Sequence, residues 1–104
     1  MSRYTVYVTP RAWKESRRLP GHIRQRVKRA IDALAQDPRP ARSKKLDTPE
    51  LKAELWRLRL DRWRIVYAIT EDDKVVDVLG VRKRPPYDYG DLREIVESAM
   101  IGMS

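Results

Sequence analysis

Three runs of strand-forming residues follow one another between residues 54 and 81, separated by only two or three polar residues. That spacing constrains the fold more than any other feature. A two-residue connection can only reverse the chain, because a parallel neighbour needs a crossover of a dozen residues or more. Glu54 to Leu60 alternates, with Trp56, Leu58 and Leu60 on one face and Arg57 and Arg59 on the other. Asp61-Arg62 turns it into Trp63 to Thr70, where Ile65, Tyr67 and Ile69 share a face. Glu71-Asp72-Asp73 turns again into Lys74 to Val81. This third run is nearly all apolar, which predicts a central strand covered on both faces.

The elements before and after this meander are shorter. Tyr4 to Val8 is rich in β-branched and aromatic residues and predicts a strand. Thr9-Pro10 has the form of an N-cap followed by proline at the first helical position. A short helix from Pro10 to about Arg18 is expected to bury Trp13 and Leu19, and Leu19-Pro20-Gly21 breaks it. Ile23, Val27, Ala30, Ile31 and Leu34 then form one stripe at the helical period, with Arg24, Arg26, Lys28 and Arg29 opposite. Asp37-Pro38-Arg39-Pro40 ends that helix. Residues 39 to 53 are expected to form a loop. Asp91-Leu92-Arg93-Glu94 fits a capping box, and Leu92, Ile95, Val96 and Ala99 give a last helix its apolar stripe. The expected fold is α+β in the order β-α-α-β-β-β-α. An antiparallel sheet carries a helical hairpin on one face and a short C-terminal helix near the other, all within a single domain, 1–104.

Charge narrows the partners. Lys and Arg number 23 against 15 Asp and Glu, a formal net charge of +8. Such an excess suits a polyanion, since each neutralised phosphate releases a condensed counterion. An acidic protein or an anionic membrane surface fits the charge as well. No apolar run approaches the roughly 20 residues of a membrane span, and the N-terminus enters a strand pattern rather than a signal peptide. The cytoplasm is the expected compartment. With no cysteine and a single histidine, His22, thiolate nucleophiles and His/Cys zinc sites are excluded or nearly so. His22 is expected at an exposed helix start. The acids at 71 to 73 suit a solvated turn better than a metal site.

What remains is a set of cations with tyrosines close by. Arg57 and Arg59 on one strand and Arg64 on the next face outward. Lys44 and Lys45 lie in the preceding loop, and Arg82, Lys83, Arg84, Tyr87 and Tyr89 follow the last strand. Three stretches of chain thus bring cations to one end or face of a sheet. Four arginines between 57 and 64, with Asp61 the only acid, repel one another, and a bound polyanion would relieve that repulsion. A tyrosine beside arginine can stack on a base or hold a phosphate.

From Tyr4 to about Ile95 the chain resembles the RelE/ParE superfamily of type II toxin–antitoxin toxins. The residues that carry the resemblance are the opening strand and helix pair, Lys44-Lys45-Leu46, and the run Leu55-Trp56-Arg57-Leu58-Arg59-Leu60-Asp61-Arg62-Trp63-Arg64-Ile65-Val66-Tyr67. Val78-Leu79-Gly80-Val81-Arg82-Lys83-Arg84 followed by tyrosine completes it. The resemblance to the RelE branch implies a ribosome-dependent endoribonuclease that cuts messenger RNA with no metal or other cofactor, using the RNA's own 2′-hydroxyl as nucleophile. It assigns proton abstraction to Lys45 or Lys44, phosphate binding to Arg59 and Arg84, and nucleotide stacking to Tyr89 or Tyr87. Lys44, Arg57, Arg64, Arg82, Lys83 and Tyr87 would contact the RNA. It also implies a cognate acidic antitoxin whose disordered segment folds on binding. ParE-like members of the same fold poison DNA gyrase instead, and a non-catalytic RNA-binding module is a third alternative.

Overall fold

Alternation along 54–60 and the apolar run that follows the Asp61-Arg62 turn produce the two strands they predict, Glu54–Leu60 (β3) and Trp63–Thr70 (β4). The computed structural model describes residues 3–46 and 53–83. Before this pair come Thr5–Val8 (β1), helices Pro10–Arg17 (α1) and Gly21–Ala33 (α2), and a three-residue strand Ser43–Lys45 (β2); Val75–Lys83 (β5) follows. Arg84, Tyr87, Tyr89 and the helix expected from Asp91 lie outside the described residues.

The five strands form one sheet in the order β1-β5-β4-β3-β2. Neighbours are antiparallel except β1, which pairs with β5 in parallel, Thr5 opposite Val75 through Val8 opposite Val78. The sheet is therefore mixed, not wholly antiparallel as expected. The connection from β1 through the helical hairpin is long enough to return the chain in the parallel sense. The expected loop at 39–53 contains β2, a fifth strand that extends the meander by pairing Lys44 with Arg57 and Lys45 with Trp56. β5 runs on through Arg82 and Lys83 because Arg64 and Trp63 of β4 continue the ladder opposite them.

Both helices pack on one face. Ile23, Val27, Ile31 and Leu34 of the α2 stripe, with Ala12 and Leu19, meet Leu58, Ile65, Tyr67, Ile69, Val76, Val78 and Val81 from the sheet. Tyr67 is fully enclosed and its hydroxyl donates to the Pro38 carbonyl at 2.7 Å. Thr9 caps α1, its Oγ1 accepting from Ala12 N. Trp13 is 58% exposed, against expectation, while Ala12 is wholly buried. Ala12 takes the contact position of this two-turn helix, and its successor is rotated about 100° away from the sheet. The opposite face carries a second buried cluster of Leu46, Leu55, Val66, Ala68 and Leu79.

Glu71, in the β4–β5 turn, gathers the start of β1 and the segment after α2. It accepts from the Tyr4 hydroxyl at 2.8 Å, from Lys74 Nζ at 2.7 Å and from Arg39 at 3.1 Å. Arg39 also pairs with Glu54 at 2.9 Å. Lys74, Tyr4 and Arg39 hold the Glu71 carboxyl down at about 2, against an ordinary 4.5. A depressed carboxyl stabilises the fold above its unfolded value and loses that contribution as pH falls through its folded value. Glu71→Gln is therefore expected to flatten the decline of wild-type stability between about pH 4.5 and 2, read from denaturant midpoints across that range.

Candidate nucleic-acid interface

Strand register decides which cations share a surface. Side chains alternate between faces, so residues paired across neighbouring strands lie on the same side. Arg59 pairs with Arg64, and Arg64 pairs with Arg82. These three arginines form one row across β3, β4 and β5, on the face away from the helices. The next row on that face places Lys44 opposite Arg57, and Arg57 opposite Val66. With neighbouring strands about 4.8 Å apart, the arginine row spans about 10 Å between its outer backbones.

The members differ in how they are held. Arg59 is exposed and Arg57 half-buried. Arg64 is only 7% exposed, and its Nη1 donates to the carbonyls of Asp61 and Trp63, both at 2.9 Å. The β3–β4 turn presents those carbonyls through a left-handed Asp61, φ 56°, a conformation that aspartate tolerates better than most residues. Arg64 is thus a clamped cation at the centre of the row rather than an outward-reaching one. Arg82 Nε pairs with Glu15 of α1 at 3.0 Å.

Two of the expected contacts fall on the other side. Lys45 pairs with Trp56, and Lys83 with Trp63; both tryptophans pack against the helix-side core. Register therefore groups Lys44, and not Lys45, with Arg57, Arg59, Arg64 and Arg82. His22 is exposed in the first turn of α2. Sequence reasoning passed over Glu15, which carries no motif, and gave no role to Arg42 of the basic run 42–45, an exposed residue whose carbonyl accepts from Arg59 N at the open side of the row.

Asp77 lies on the same face, opposite Ala68 and Tyr7 and at the other end of the apolar cluster. It is 6% exposed, and burial pushes its carboxyl up. A raised carboxyl disfavours the fold above its folded value, and the cost fades as pH falls through that value. Asp77→Asn is expected to unfold at higher denaturant than wild type at pH 7, with the difference closing on acidification.

The ParE toxin family of the type II toxin–antitoxin system parDE matches residues 6–85, most of the chain. The chain belongs to this family. It is a RelE/ParE-superfamily toxin of a type II toxin–antitoxin system, and its relatives are RelE-like. A Methanocaldococcus jannaschii protein named as a candidate RelE1 toxin is 26% identical over 84 residues, covering 79% of this toxin and 91% of that protein. The RelE–RelB complex of Pyrococcus horikoshii OT3 superposes with a TM-score of 0.72 at 26% identity, covering 84% of the toxin and all of that chain. The RelBE2 toxin–antitoxin complex of Mycobacterium tuberculosis gives 0.66 at 25% identity, over 79% and 99% of the two chains.

Proposed function

We propose that this toxin is an endoribonuclease that cuts messenger RNA on the ribosome by metal-independent attack of the RNA's 2′-hydroxyl. The observation that carries the reading is the row Arg59–Arg64–Arg82. In-line attack develops charge on the non-bridging phosphate oxygens, and guanidinium groups fixed before the reaction stabilise that charge without reorganising. Arg64 is already clamped by two carbonyls. The pairing of Lys44 with Arg57 supports Lys44, rather than Lys45, as the group that takes the 2′-hydroxyl proton. Arg84 would add to phosphate binding, and Tyr87 or Tyr89 would stack on the nucleotide. The resemblance to toxins solved with their antitoxins supports an acidic antitoxin as the second partner. Its negative charge complements a chain of net charge +8.

The match to the parDE toxin family favours a second reading, inhibition of DNA gyrase on the same fold. One experiment separates the two. The purified protein, with no added metal, is incubated with ribosomes translating a defined message, and the message ends are mapped by primer extension. New ends that require ribosomes support the nuclease. An intact message together with blocked gyrase supercoiling supports the alternative.

A further inference from the structure

β1 supports β5 only as far as Val78. Beyond it, among the described residues, no strand flanks the edge of β5 where its C-terminal residues carry the last arginine of the row, and α1 lies against that edge. Glu15, the one acidic residue of α1, closes it. Its Oε1 accepts from the Val81 backbone N–H at 3.1 Å, and its Oε2 pairs with Arg82 Nε at 3.0 Å. One carboxylate thus replaces a missing ladder hydrogen bond and grips the adjacent arginine. Both side chains are largely shielded, at 21% and 25% exposure.

We infer that Glu15 is a positioning residue, which sets the direction of the Arg82 guanidinium toward the scissile phosphate through their ion pair. The contact stands independently, whereas its kinetic consequence rests on the nuclease reading above. Glu15→Gln separates the two halves of the contact. A glutamine carbonyl still accepts from Val81 N–H, while the neutral amide removes the negative charge that pairs with Arg82.

The test combines three readouts on the full chain. In uniformly ¹⁵N-labelled protein, the Arg82 Nε–H cross-peak, assigned by its loss in Arg82→Ala, is expected to shift in Glu15→Gln. The thermal midpoint should stay near wild type. Single-turnover cleavage on translating ribosomes should slow about tenfold to a hundredfold, the size of effect that a misplaced group produces, with the apparent KM little changed. In an Arg82→Ala background, Glu15→Gln should slow cleavage no further. An unmoved cross-peak overturns the inference, as does a Glu15→Gln defect that persists undiminished without Arg82. Wild-type cleavage by Arg82→Ala overturns instead the nuclease role of the row, and with it the kinetic role of Glu15. Glu15→Asp keeps the charge but cannot span both partners. It carries the same test if the glutamine variant does not fold.

Discussion

Arg59→Ala is expected to abolish most of the cleavage while leaving the fold intact. Arg59 is exposed on β3 and flanks the clamped Arg64. Losing one donor to developing oxyanion charge typically costs on the order of 10²–10³ in rate. The same substitution removes no core contact, so stability should change by no more than about 0.5 kcal/mol. Single-turnover cleavage on translating ribosomes, beside a thermal melt, reads both quantities. Arg84→Ala, made in parallel, extends the test to the segment after β5. Cleavage that survives both changes would remove the site assignment, whatever the relatives do.

Tyr67→Ala is the substitution expected to cost most stability. The ring lies at the centre of β4, wholly enclosed. Removing a buried aromatic costs about 3–5 kcal/mol through lost transfer energy and the cavity left behind. A domain of this size loses about 4–8 °C of midpoint per kcal/mol, so the variant should melt at least ~12 °C lower or fail to fold. Tyr67→Phe isolates the hydroxyl. It keeps the ring but leaves the buried Pro38 carbonyl without its 2.7 Å partner, at about 1–3 kcal/mol. Burial pushes the Tyr67 hydroxyl up to about 12, so this bond persists through the whole neutral range. Urea unfolding of the two variants gives the ring and hydroxyl contributions separately. A phenylalanine variant as stable as wild type would show that the Pro38 carbonyl finds another donor.

Local pattern carried the meander. β3 and β4 run where the pattern places them, and a one-residue slip would take Ile65, Tyr67 and Ile69 away from the helices that cover them. The same alternation put Arg57, Arg59 and Arg64 on one surface. What local pattern could not carry was pairing between distant segments. Arg82 and Lys83 look like loop residues until the Arg64 and Trp63 ladder is seen opposite them. Lys44 and Lys45 are equivalent in the sequence, and only the register of β2 against β3 sends them to opposite faces. The parallel pairing of β1 has no local signature, and neither does the reach of Glu15 across 66 residues to Val81. Trp13 misled for a related reason. Its hydrophobicity argues for burial, but the facing position already belongs to Ala12.

The parallel contact between β1 and β5 also sets an order of events during synthesis. The first strand has no sheet partner until residues 75–78 have been made, and the arginine row is not closed until Arg82 follows. Pairings this distant in sequence form late, because the intervening loop must be closed before they contribute anything. A nascent chain stopped anywhere before β5 therefore presents Arg59 and Arg64 without their third member and without the Glu15 brace. The surface that we propose acts on ribosomes comes together only after the ribosome producing it has made β5.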